Sequence, residues 1–331
     1  MKYNDFKIAL RESIQRIVDS RFVGGYEVSL TKVTKNNGKV LDAIVITKGK
    51  CEISPTIYIK DFYNSYMSGE SMEETCEKVL NTYVSSSLEP DINVDAFKSY
   101  KKIKGRIVYK LINTKANKEL LKKVPHKTFC DLSMVYYCIM DEKMESRATE
   151  LIHNAHITLW GITREELHQQ ACQNTPFVLP AQILPMDDIL KELLTDSIIK
   201  EDKSIYGLYG EDKPNREEYE IQAEEIMGNL GKKDDFLKLY VISNKNRIFG
   251  AACILYDGVL REFAKKHNEK DVYIIPSSIH EAIILSENIE VEKEYIKDII
   301  KEVNATDVDE CDVLSNNLYK YNYEKDIIEV V

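Results

Sequence analysis

Apolar and polar positions alternate along this chain with two different periods, and the switches between them mark its elements. From Phe6 to Phe22 the apolar residues Phe6, Leu10, Ile14, Ile17, Val18 and Phe22 keep to one helical face. "YEVSLTKVTKNNGKVLDAIVITKG" then changes to a period of two, with Asn37-Gly38 able to supply the positive φ of a tight turn, which predicts a β-hairpin. "PTIYIKDFYNSYMSG" predicts a strand running into a short helix stopped at Gly69. Ser71 and Glu74 have capping-box spacing, and the stripe Met72, Cys76, Val79, Leu80 and Tyr83 that follows is expected to face a core.

Between 105 and 185 the pattern is mixed. Strands are expected at "RIVYKLI", "FCDLSMVYYCIM" and "ELIHNAHITLW". A helix is expected from Thr163 to Gln173, opened by a capping box of Thr163 and Glu166 and ended by Pro176. "FVLPAQILP" predicts an extended segment that Pro180 and Pro185 push toward an edge or a bulge, followed by a short helix from Asp187 to about Leu194. From 236 on, strands "LKLYVIS", "AACILY", "DVYII" and "AIILS" alternate with helices at 257–267 and 291–303, and "LYKYN" with "DIIEVV" closes the chain as a hairpin. Strands joined by short turns favour antiparallel pairing, so the expected class is α+β, with mainly antiparallel sheets and helices packed on one face.

Composition adds boundaries. A chain of 331 residues exceeds most single cores and suggests two sub-domains. Residues 196–235 carry twelve acidic and six basic side chains, more than half of the net charge of −10, and are the expected acidic linker or insertion between sub-domains at 1–195 and 236–331. Within that segment Tyr206, Tyr209, Ile221 and Ile226 are expected to pack. The first residues carry charges where a secretion signal needs apolar ones, and no run is long and apolar enough to span a bilayer, so no membrane contact and a cytoplasmic location are expected. Seven scattered cysteines without a CxxC pair argue against a disulfide framework or a cysteine-rich zinc site. The acidic balance argues against nucleic acid as a partner, although "KSYKKIKGRIVYK" gathers six basic residues at 98–110.

Several short strings are distinctive: "LYVISNKNRIFGAACILYDGVLREFAKKHNEKDVYIIPSSIHEAIILSEN", "NAHITLWGITREELHQQACQNT" and "VLSNNLYKYN". In these the chain resembles an uncharacterised family of bacterial proteins of the anaerobic gut Gram-positive type, known only as a domain of unknown function. The resemblance implies a bacterial cytoplasmic setting and assigns no activity.

The candidate chemistry centres on "IIPSSIHE". His280-Glu281 begins like the zincin motif HExxH, but Ile284 stands where the second histidine is needed. A composite metal site of His153, His156, His280 and Glu281 stays open: as a strand the segment sends His153 and His156 to opposite faces, whereas as a helix it would bring them to one. A hydrolase would use His280 as base, Ser278 (or Ser277) or Cys253 as nucleophile, and Glu281 or Asn244 to orient the ring. The third reading makes Pro276, Ser277, Ser278 and His280 the hydrogen-bonded turn of a hairpin. With no GxxxxGK[ST], GxGxxG or other cofactor motif, no cofactor is expected. Twenty tyrosines against one tryptophan suit a recognition surface, and the expected role is recognition of a protein or a small ligand without chemistry.

Overall fold

The computed structural model describes residues 1–49, 54–87, 94–140, 149–206, 215–230, 239–276, 278–286 and 292–331. The chain divides into two compact units, Met1–Ile92 and Asn93–Val331. In the first, helix α1 (Tyr3–Arg21) precedes strands β1 (Tyr26–Thr34), β2 (Val40–Lys48) and β3 (Thr56–Tyr58), then helices α2 (Lys60–Met67) and α3 (Met72–Ser87). The predicted hairpin pairs Tyr26 with Lys48, and its turn places Asn37 and Gly38 at positive φ. Phe6, Leu10, Ile14 and Val18 of α1 pack with Ile44 and Ile46 of β2 and with Cys76, Val79 and Leu80 of α3 in one core. At the start of α3 the Ser71 backbone N–H donates to Glu74 Oε2 (2.8 Å) and the Glu74 N–H returns to Ser71 Oγ (3.2 Å), the reciprocal cap that the spacing predicts.

The second unit holds two antiparallel sheets. The smaller is built from β4 (Ile107–Asn113), β5 (His126–Phe129), β6 (Leu132–Ile139) and β7 (Thr149–Leu151), with β6 between β4 and β5 and also paired with β7. Short helices α4 (Val94–Phe97), α5 (Tyr100–Ile103) and α6 (Lys118–Leu121) lie between these strands or before them in sequence; α7 (Asn154–Trp160) and α8 (Arg164–Val178) follow. The larger sheet takes β8 (Ala181–Pro185), β9 (Leu239–Asn244), β10 (Asp271–Ile275), β11 (Ala282–Ser286), β12 (Tyr319–Asn322) and β13 (Ile327–Val330), in the order β13-β12-β10-β11-β9-β8. Helices α9 (Met186–Tyr206), α10 (Arg216–Leu230), α11 (Val259–His267) and α12 (Lys293–Thr306) complete it. The architecture is α+β with antiparallel sheets. One core runs from Tyr109, Leu111 and Met134 of the small sheet through the segment 250–256 to Val272, Ile274 and Ile284 of the large one.

Several expectations are corrected. "FCDLSMVYYCIM" holds the expected strand as β6, but its first residue closes β5, because Cys130 takes a left-handed φ of 50° and turns the chain between the two. "ELIHNAHITLW" leaves the sheet after Leu151, and His153 becomes the residue that precedes α7. Helix α8 runs past Gln173 and over Pro176 to Val178. Pro176 has no N–H to give the carbonyl four residues back, so the helix crosses it one bond short and ends two residues later. "AACILY" is a 3-10 helix, Gly250–Leu255, not a strand: a run buried on every side shows no period, and length alone does not decide it.

The helix expected to end at Leu194 continues as α9 to Tyr206, well into the acidic segment, and α10 lies inside that segment. The two helices are tied by ion pairs from Lys191 to Glu224 (2.6 Å) and from Arg216 to Asp196 (3.1 Å). Among the described residues of the segment Tyr219 and Ala223 are buried, while Ile221 and Ile226 are exposed; Tyr209 and the Tyr206 side chain lie outside the described residues. β8 and β9, on either side of the acidic segment, pair as neighbours in the large sheet. No helix of the described residues is long and apolar enough to cross a membrane.

Candidate binding site

The turn between β10 and β11 carries His280, and its contacts decide what that residue can do. The Phe249 backbone N–H donates to His280 Nδ1 (3.3 Å), which leaves the proton of the neutral ring on Nε2, 3.6 Å from Asp312 Oδ1. The ring stacks on Phe249 at a 5.6 Å centroid distance. The His280 backbone N–H donates to Ser278 Oγ (3.1 Å), and the Ser243 hydroxyl donates to the His280 carbonyl (2.8 Å). Ser278 itself bridges to Val313. The Ser278 hydroxyl therefore serves the backbone of His280, and both ring nitrogens already face protein groups. Ser277 lies outside the described residues.

The other residues of the hydrolase reading lie in different surroundings. Cys253 is fully buried in the 3-10 helix, and burial pushes its thiol up to about 12, so it is held as the poorly nucleophilic thiol. Asn244 is also buried, but its side chain folds the next loop: Nδ2 donates to the Ile248 carbonyl (2.7 Å), and Oδ1 accepts from the Asn246 (3.0 Å) and Ile248 (3.3 Å) N–H groups. Glu281 is exposed and lines a small hollow of mixed character with Gln182, Ser243 and Arg247 and the apolar Leu184, Ile189 and Val241. Gly250 makes this packing feasible, since a Cβ there would lie 2.1 Å from Ser243 Oγ and 2.6 Å from the His280 carbonyl oxygen.

His153 and His156 do approach one another. The His153 backbone N–H donates to His156 Nδ1 (3.1 Å), and the rings meet edge to face at 5.6 Å. Burial first, and the neighbouring His153 second, hold His156 below the usual imidazole range. Among the described residues no group of three or more His, Cys, Asp or Glu side chains could hold a metal ion, so the composite site of His153, His156, His280 and Glu281 does not assemble there.

Free interaction capacity lies elsewhere. Between β8 and α11 a cleft of about 430 Å³ is lined by Ala181, Ile183 and Pro185 of β8, Tyr240 of β9, and Val259, Glu262, Phe263, Lys266 and His267 of α11. Its floor is aromatic: Phe263 and His267 lie 4.4 Å apart by ring centroids, Tyr240 and His267 4.7 Å, and Tyr240 and Phe263 5.0 Å. The Tyr240 hydroxyl and His267 Nδ1 are 3.3 Å apart. The amphipathic α11 turns Leu260, Phe263 and Ala264 inward, which leaves Glu262 and Lys266 one turn apart on the solvent side. Among the described residues neither charge has an ion-pair partner.

The family of unknown function DUF5688 matches residues 3–323. The chain belongs to this family. No curated protein and no solved structure matches it. The His280 turn and the β8–α11 cleft of this DUF5688 chain both fall inside the matched span.

A second cleft of the DUF5688 chain, about 340 Å³, lies beside β12 and β13 and carries the charged residues Asp257, Arg261 and Asp326, of which the last two pair with each other. Asp326 accepts from the Tyr321 hydroxyl (2.6 Å) and sits 3.5 Å from Arg261. A polar network around His168 was also not foreseen. Its Nδ1 lies 3.0 Å from the Tyr136 hydroxyl, its Nε2 3.0 Å from Lys127 Nζ, and Cys172 Sγ 3.6 Å from Nδ1. Burial and the Lys127 charge hold its pKa down, which suits a neutral structural ring. The sequence did hold two signals for the β8–α11 cleft: the prolines that marked an edge strand, and the i,i+4 charges of "LREFAKKH" outside its apolar stripe.

Proposed function

We propose that this DUF5688 protein is a recognition module, without chemistry of its own, whose binding site is the cleft between β8 and α11. The observation that carries this reading is the pair of opposite charges, Glu262 and Lys266, without ion-pair partners among the described residues, beside an apolar and aromatic cleft of about 430 Å³. That volume and lining suit a small ligand or a few side chains of a partner, with polar groups to fix orientation. The alternative, a hydrolase centred on His280, has less support. Its Nδ1 accepts a backbone N–H, and neither Ser278 nor Cys253 is placed as an activated nucleophile.

Methyl-resolved NMR of the full chain, titrated with a library of aromatic fragments carrying an ammonium or a carboxylate, tests this reading. Binders should perturb the methyls of Ala181, Ile183 and Val259. Perturbation confined to other surfaces, or no binder at all, overturns the placement. Ester or amide hydrolysis lost in His280→Ala would overturn the non-catalytic reading.

A further inference from the structure

Among the described residues strand β8 ends the large sheet, with no further strand on one side of its backbone. Which groups it offers follows from the register. The Lys245 N–H donates to the Pro180 carbonyl (3.2 Å), and Ala181 stands opposite Asn244. Bonded pairs alternate along an antiparallel ladder, so Gln182 and Leu184 turn their backbone groups toward β9. Ala181 and Ile183 then point N–H and C=O outward, and Pro185 contributes a carbonyl with no N–H. The side chains of these same three residues line the cleft toward α11. A strand laid along β8 would therefore hang every second side chain over the aromatic floor.

Resting on the recognition reading above, we propose that the occupant of the cleft is an extended polypeptide segment that adds to the edge of β8. It carries an apolar side chain over Tyr240 and Phe263, flanked on the same face by a basic residue for Glu262 and an acidic one for Lys266. Three features converge on this chemistry: backbone donors and acceptors on the free edge, a concave apolar groove beside it, and two unpaired charges of opposite sign one helical turn apart. Main-chain hydrogen bonds supply affinity in such strand addition, and alternate side chains supply specificity. Pro185 limits the edge to two donors, which sets a short segment and shields the strand from pairing with a second copy of itself.

The test is selection of a displayed library of random heptapeptides against the intact protein, repeated with the charge-swapped variant carrying Glu262→Lys and Lys266→Glu. Selected peptides should alternate, with an apolar residue between a basic and an acidic one at every second position. The swapped variant should enrich the reverse order. Calorimetry on the best peptide should then show at least a tenfold loss when its edge-facing amide nitrogens are methylated, because this removes hydrogen bonds and keeps the side chains. Equal affinity for the methylated peptide, a charge order indifferent to the swap, or no enrichment overturns the proposal. Aromatic fragments that bind the cleft while no heptapeptide enriches would leave the recognition reading standing and the strand-addition inference refuted; failure of both removes both.

Discussion

Around His280 the ring, the Ser278 hydroxyl and the His280 backbone are all hydrogen-bonded within the turn or to its neighbours, whereas in the cleft between β8 and α11 two opposite charges and a strand edge have no partners among the described residues. The first region is dense with residues able to do chemistry; the second is made of ordinary helix-surface and strand-edge residues. Their difference teaches that reactive residue types clustered in sequence are not the same as free valence in space. A histidine in a turn between two strands is used first to hold that turn, and what remains for a partner lies where the fold has stopped consuming hydrogen bonds.

This contrast can be broken by substitution. The largest effect is expected from Gly250→Ala, whose Cβ would enter the space of Ser243 Oγ, the His280 carbonyl and the Asn244 nitrogen. Overpacking against backbone should cost about 3 kcal/mol, measured by urea denaturation, and lower soluble yield. Asn244→Ala should cost about 2 kcal/mol by the same measurement, because it strips three hydrogen bonds from a loop that holds Arg247 and Phe249 at left-handed φ values of 53° and 55°. His280→Ala should cost only about 1 kcal/mol, the loss of one acceptor and a ring stack, and should leave binding at the cleft unchanged. A loss of cleft binding there would erase the distinction between the two regions.

Acid should act on a third set of groups. His156 and His168 both have pKa values held below the ordinary imidazole value, so the unfolded chain takes up protons first as pH falls. Stability from these two groups is complete above about pH 6.5 and declines as pH drops below it. Thermal melts should therefore show a lower Tm at pH 5 than at pH 7, and the difference should shrink in His168→Gln. The smallest effect is expected from Glu262→Gln: within about 0.5 kcal/mol in stability, since an exposed unpaired charge is removed, but with a clear loss of basic-residue preference at the cleft.

Much of the fold was legible because its periods are clean. The α1 stripe, the hairpin at Asn37-Gly38, the caps at Ser71 and Thr163, and the edge character of β8 all follow from local rules that packing had no reason to override. What failed were runs without a period. "GAACIL" is buried on every side, and "ELIHNAHITLW" changes from strand to helix at His153, inside what reads as one apolar segment. The acidic stretch reads as a linker or insertion from its charge alone, and α9 and α10 use part of that charge in ion pairs. The proposed cleft was harder to read for a related reason: motif reading weights His, Ser and Cys, while Glu262 and Lys266 enter the proposal only because neither has an ion-pair partner among the described residues, which three dimensions reveal.

Asp131, in the two-residue turn between β5 and β6, accepts from the Ser315 hydroxyl at 2.8 Å and from the Tyr319 hydroxyl, across 184 and 188 positions of chain. Asn113 adds a bond to the Leu314 carbonyl across 201. During synthesis these acceptors and donors wait through most of the second unit for residues not yet made, while the first unit closes its core from its own short-range elements. The long loops that must close before such contacts form slow the search, so the second unit should be the rate-limiting one to fold and the one most in need of protection while it is incomplete.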